Sequence, residues 1–138
     1  MISTAEPVMS QLSLSSESKS LLILEDWINS LCEVYSITEE LYGNILIAIT
    51  EAVNNAITHG NQNLIEKKTI VDYKISETEL VFNVSDEGRG FDYNDIPDPT
   101  DPKNIEKPQG RGIFLMRHLA DKIEFFEPGN SVQIKFDL

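Results

Sequence analysis

The sequence predicts an α+β fold, a two-layer sandwich with a mixed, mostly antiparallel sheet and helices on one face. Three observations carry that expectation. Stretches that alternate apolar and polar residues come in pairs joined by short polar links, as hairpins do. Stretches with apolar residues at helical spacing stand between those pairs. Helices and hairpins in this order can bury their apolar sides against one another only as two layers.

Taken in order, Val8 to Leu14 alternate weakly and read as a first strand, with Val8, Leu12 and Leu14 apolar. Ser16 and Ser18 are suited to capping a helix that carries Leu21, Leu24, Ile28, Leu31 and Tyr35 on one face, with Trp27 packed beside them. A second helix has Thr38 as its cap and Glu39 and Glu40 in the first turn, where the helix dipole favours acids. It runs through Leu41, Ile45, Ala48, Ile49, Ala52, Val53 and Ala56 and is expected to end at Gly60. Ile70 to Ile75 and Leu80 to Val84 form a hairpin across the polar link Ser76 to Glu79. A third helix is expected from Gly110 to about Ala120, with Ile113, Leu115, Met116 and Leu119 inward. A closing hairpin joins Ile123–Phe126 to the alternating Val132, Ile134 and Phe136 through a turn at Pro128-Gly129-Asn130. Phe91 to Gln109 contains four prolines and almost no apolar periodicity. So long a loop in a small domain points to function, and it reads as a lid at about 92–109.

The 138 residues fit one domain, 1–138. No apolar run approaches the ~18 residues of a membrane span, and no basic segment precedes an apolar one at the N-terminus as in a secretory signal. The single cysteine, Cys32, lies in an apolar helical pattern and reads as a buried structural thiol, which fits a reducing cytoplasm. A net charge of -12 repels nucleic acid backbones and anionic lipid. A phosphate ligand would therefore be met by backbone N–H groups, a metal ion and a few placed cations.

Three blocks supply that kind of site. In Glu51-Ala-Val-Asn54-Asn55, Glu51 and Asn55 stand one helical turn apart on one face. The Asn55 oxygen is a hard, neutral ligand suited to Mg²⁺, and Glu51 can accept a proton from a hydroxyl attacking a γ-phosphate. In Asp86-Glu-Gly88-Arg-Gly90, a carboxylate at a strand end can accept a hydrogen bond from the exocyclic amine of adenine, where guanine would present a carbonyl. The glycines let backbone approach a flat ligand closely. Gly110-Arg111-Gly112 opens a helix whose free N–H groups suit phosphate oxygens, with Arg111 able to add a charge-assisted contact. His59, one turn after Asn55, is placed to touch phosphate or the lid. Singly, each block has an ordinary reading beside the functional one: a solvated helix face, a strand-closing turn, an exposed arginine, a helix-end histidine.

In this order the blocks resemble those of the GHKL superfamily with the Bergerat ATP-binding fold. Glu51-Ala-Val-Asn54-Asn55-Ala56 with His59-Gly60 is similar to its N box, Asp86-Glu-Gly88-Arg-Gly90-Phe-Asp92 to its G1 box, and Gly110-Arg-Gly-Ile-Phe-Leu-Met116 to its G2 box. Where the wider superfamily often has a third G2 glycine, this chain continues Gly112-Ile113-Phe114. The small size and the His-Gly after the N box are most similar to the anti-sigma-factor serine kinases. That resemblance implies ATP and Mg²⁺ as cofactors, Glu51 as general base, Asn55 as metal ligand and Asp86 as adenine reader. The nucleotide site would comprise Asn55, His59, Asp86, Gly88, Gly90, Gly110, Arg111 and Gly112. It further implies a cytoplasmic serine/threonine protein kinase that binds a sigma factor and phosphorylates a STAS-domain antagonist, without direct contact to nucleic acid or membrane and with a homodimer left open. Two rival readings are a regulatory ATP-binding module that sequesters a partner without significant transfer, and a detached histidine-kinase catalytic domain.

Overall fold

The structure, a computed structural model, describes residues 8–91 and 108–138, the side chains of 108–110 excepted. The expected lid at 92–109 thus lies almost entirely outside the described residues.

Five strands and three helices follow one another as β1 (Val8–Ser15), α1 (Ser20–Val34), α2 (Glu39–Asn55), β2 (Lys68–Ile75), β3 (Glu79–Ser85), α3 (Pro108–Leu119), β4 (Lys122–Phe126) and β5 (Ser131–Asp137). The sheet order is β1-β2-β3-β5-β4. Every pairing is antiparallel, where the sequence suggested a mixed, mostly antiparallel sheet. The reason is topological: β3 and β4 run in the same direction across the α3 crossover, and β5 returns between them and separates the parallel pair.

Alternation decides which face is covered. Val71, Tyr73 and Ile75 of β2, Leu80, Phe82 and Val84 of β3, and Val132, Ile134 and Phe136 of β5 are buried under the helices. Their neighbours in sequence face solvent and bond across strands, as Asn83 donates to Asp72 and Lys135 pairs with Glu79. From above come Leu24, Ile28 and Leu31 of α1 and Ile45, Ala48, Ile49, Ala52 and Val53 of α2. Trp27 packs tilted against Tyr73 and edge-on to Phe82, with ring centroids at 5.2 and 6.3 Å, and Phe82 meets Phe136 edge to face at 6.1 Å.

Several expected boundaries move, each for a local reason. Thr38 caps α2 as expected, accepting from the Leu41 N–H at 3.3 Å. At α1 the N-cap is Lys19, with no side-chain cap bond, and Ser16, one of the two expected caps, is used elsewhere. Ser16 is buried and donates to the Lys67 carbonyl at 2.6 Å, and Ser20 donates to the Ser15 carbonyl at 2.8 Å. α2 does not run unbroken to Gly60. It widens after Asn55 into a π turn, Ala56–Gly60, closed by the Asn61 N–H on the Ala56 carbonyl at 2.8 Å. α3 starts at Pro108 instead of Gly110, as suits a residue with no N–H to lose in a first turn. Ile113 and Met116 point inward, but Leu115 is exposed, because it falls outside the arc through Gly112, Ile113 and Met116. Cys32 is buried as expected, and desolvation pushes its thiol up to about 11, well away from a reactive thiolate.

Candidate functional site

A cavity of about 270 Å³ opens between α2, α3 and the sheet. Asn55, His59, Asp86 and Gly90 line it together with Ile113, Met116 and Val132. Its lining mixes apolar side chains with a few polar groups, the usual composition of a small-molecule site.

At one end the main chain sets the geometry. The Asp86 N–H donates to the Asn130 carbonyl at 2.9 Å, which fastens the end of β3 to the turn before β5. The Asp86 carboxylate accepts from the Gly88 N–H at 2.7 Å. Burial raises the Asp86 pKa, opposed by the Gly88 hydrogen bond and the Lys67 charge. The π turn lies directly against this loop. A Cβ on Gly60 would stand 2.4 Å from the Asp86 carboxyl carbon, and a Cβ on Gly88 would stand 2.2 Å from the Gly60 carbonyl oxygen. Gly60, expected as a helix terminator, is a glycine because a carboxylate occupies the space where its side chain would be. Gly90 lines the cavity wall with a positive φ of 84°, and its missing Cβ admits the Pro128 carbonyl.

At the other end, side chains set the geometry. Asn55 lines the cavity, and Glu51 stands one turn back on the same face of α2. Gly112, buried in α3, packs onto both: its missing Cβ would lie 3.0 Å from the Asn55 amide nitrogen and from a Glu51 carboxylate oxygen. A side chain at this position would press on the ends of Glu51 and Asn55. Glu51 itself lines the shallow groove between α1 and α2 beside Leu22, Ile47 and Thr50, so it stands at the junction of groove and cavity. Gly110 lies in the first turn of α3, whose N–H groups have no intrahelical partner. Arg111 is exposed and stands outside the cavity lining, whereas His59 is exposed at its edge.

The structure therefore brings Asn55, His59, Asp86 and Gly90 into one cavity, with Glu51, Gly88 and Gly112 packed immediately behind or beside its wall. Sequence reasoning missed Phe91, Phe125, Gly129 and Asn130, which also line the cavity. The Gly129-Asn130 pair signalled a hairpin turn and nothing more. Among the described residues, no group of three or more His, Cys, Asp or Glu side chains is arranged to hold a metal ion. A Mg²⁺ ion at Asn55 would thus depend on phosphate oxygens and water for the rest of its ligands, which is how that ion is commonly held. A neutral oxygen ligand, a nearby carboxylate and the free N–H groups of a helix start form a donor set that fits a magnesium nucleotide.

The family model for the histidine kinase-like ATPase domain matches residues 14–136. The anti-sigma F factor of Clostridium perfringens is 31% identical over 97 residues, 67% of this chain and 68% of that protein. The serine-protein kinase RsbW of Bacillus cereus is 33% identical over 84 residues, 56% of this chain and 52% of that protein. In architecture the chain is similar to the solved RsbU and RsbW domains of Rv1364c from Mycobacterium tuberculosis, with a TM-score of 0.66, 13% identity, and coverage of 94% of this chain and 31% of that one. The match spans nearly all of the sheet and helices that build the cavity, so the chain belongs to the histidine kinase-like ATPase domain family.

Proposed function

We propose that this protein is an ATP-dependent serine/threonine protein kinase of the anti-sigma-factor type, which binds a sigma factor and phosphorylates a STAS-domain antagonist in the cytoplasm. The observation that carries the reading is the shared approach of Glu51 and Asn55 to Gly112, beside a cavity that has Asp86 at its far end. The names of the similar proteins, anti-sigma F factor and serine-protein kinase RsbW, support the partner and the activity.

In this reading Asp86 accepts a hydrogen bond from the adenine amine, and Val84, Ile113 and Met116 shield the ring from water. The N–H groups opening α3 meet the phosphates, with His59 at the cavity edge and Arg111 reaching in from outside the lining. Asn55 would hold Mg²⁺, which would offset phosphate charge. Glu51 takes the proton of the acceptor hydroxyl as that oxygen bonds to the γ-phosphorus; the bond from phosphorus to the β–γ bridging oxygen breaks, and ADP leaves. Because Glu51 faces the α1–α2 groove as well as Gly112, the hydroxyl can arrive from outside the cavity without displacing nucleotide.

The test is transfer of labelled γ-phosphate to each STAS-domain protein of the source organism, with wild type and Asn55→Ala, alongside calorimetry with ATP, ADP and GTP. Wild type should label one antagonist and prefer adenine nucleotides, and Asn55→Ala should lose Mg²⁺-dependent nucleotide binding. Labelling of none, with a sigma factor still bound, would replace this reading with the sequestering module.

A further inference from the structure

Asn61 was not among the residues picked from sequence, yet it is one of the few fully buried polar side chains described, at 0% exposure. It follows the π turn directly, and both its side-chain oxygen and its amide nitrogen are hydrogen-bonded. Its side-chain oxygen accepts the Glu87 N–H at 2.8 Å. Its amide nitrogen donates toward Ser16 Oγ at 2.9 Å, the Lys68 carbonyl at 3.0 Å and Thr69 Oγ1 at 3.3 Å. One side chain thus joins the turn after β1, the start of β2 and the loop after β3.

The contact with Glu87 falls on the peptide that follows Asp86. On the other side, the Asp86 N–H is held by the Asn130 carbonyl, and the Asn130 amide donates to the Gly88 carbonyl at 3.3 Å. The loop is gripped from both flanks, and the Asp86 carboxylate stands in the gap that Gly60, the residue before Asn61, leaves open. Displacing the Glu87 peptide would turn the Asp86 Cα–Cβ bond, and a hydrogen bond weakens steeply as its angle closes.

We propose that Asn61 is a positioning residue for purine recognition: by holding the Glu87 N–H, it aims the Asp86 carboxylate at the exocyclic amine of the adenine ring. This rests on the ATP reading above and extends it to a residue that touches no nucleotide. A purely structural asparagine would stabilise the fold without affecting which purine is chosen.

The test compares dissociation constants for ATP and for purine riboside triphosphate, which lacks the amine, alongside Tm. In wild type the amine should favour ATP by roughly 10-fold or more, the scale of a hydrogen bond to a charged group. Asn61→Ala should erode that ratio about tenfold or to unity, since the acceptor is no longer aimed. Asn61→Asp keeps an oxygen for the Glu87 N–H and should keep the ratio while lowering Tm. Ser16→Ala cuts the same network on its far side and should lower Tm with the ratio intact. In an Asp86→Ala background the ratio should be near one, and adding Asn61→Ala should not change it. Asn61→Ser, too short to reach Glu87, carries the same expectation as Asn61→Ala should the latter fail to fold. A folded Asn61→Ala or Asn61→Ser protein with the wild-type ratio and a lower Tm overturns the proposal. A wild-type ratio near one removes the adenine-reader role of Asp86, and this inference falls with it; the two failures are told apart by the wild-type measurement alone.

Discussion

At the Asp86 end of the cavity, backbone meets backbone: the loop after β3 is bonded to the turn before β5 and packed against the π turn at distances no Cβ would permit. At the Glu51 end, two long side chains of α2 reach a bare patch of α3 at Gly112. The first arrangement has almost no rotamer freedom, whereas the second depends on rotamers of Glu51 and Asn55. On the proposed reading, adenine recognition would rest on fold geometry, and the placing of the base and the metal ligand on side chains. Each end should be separable from the other by substitution, side-chain changes acting at one and added Cβ atoms at the other.

The largest effect should come at the side-chain end. If Glu51 is the general base proposed above, Glu51→Gln keeps the shape and removes it, so phosphoryl transfer should fall by roughly 10²- to 10⁴-fold with nucleotide affinity unchanged. Transfer at the wild-type rate in this variant would remove the general-base role.

The next test sharpens the comparison with one methyl group placed at each end. Gly60→Ala puts a Cβ 2.4 Å from the Asp86 carboxyl carbon, so the carboxylate must move. ATP affinity should drop by about tenfold to a hundredfold, the loss of one charge-assisted hydrogen bond. Gly112→Ala meets only side-chain ends at 3.0 Å, which can give way, so it should lower transfer more than affinity. Equilibrium binding and single-turnover transfer measured on both variants decide it; the reverse pattern would break the division between the two ends.

Asp86 should also reveal itself through stability. Burial raises its folded-state pKa above the unfolded value, so the folded form binds the proton more tightly between those two values. Its contribution is present at low pH and is lost as pH rises from the unfolded pKa through the folded one. Asp86→Asn should therefore raise Tm at neutral pH by a few degrees at most, with the difference fading in acid. Thermal melts of both proteins across that range check the sign.

The smallest effect is the control. Gly43 sits inside α2 with nothing within 4 Å of its missing Cβ. Gly43→Ala should add up to about 1 kcal/mol of stability through helix propensity and leave both ends of the cavity unchanged.

How much of this was legible in the sequence depended on how far each interaction reaches along the chain. Helical and strand periods are local, so α1, α2, both hairpins and most of the core could be read directly, and Thr38 declared its cap three residues ahead. Glu51 and Asn55 share a turn, and their pairing was equally visible. Asn61 meets Glu87, 26 positions away, and no periodicity announces such a contact. The serines before α1 misled for the same reason, since Ser16 is drawn to Lys67, 51 positions on. Gly60 was recognised as special on the ground of helix termination, while the physical cause lies across space in Asp86.

The place of β5 has a consequence for the order in which the molecule can assemble. It follows β4 in the chain but lies between β3 and β4 in the sheet, so a nascent chain that has reached Asn130 holds β4 without a sheet neighbour. Only when Ser131–Asp137 inserts do β3 and β4 belong to one sheet. That insertion also brings up the turn whose Asn130 carbonyl receives the Asp86 N–H. Pairings that span this much sequence form late, because the closure entropy must be met before any contact repays it. A ribosome-bound chain stopped before β5 would carry every residue of the three glycine and carboxylate blocks and still lack a nucleotide cavity.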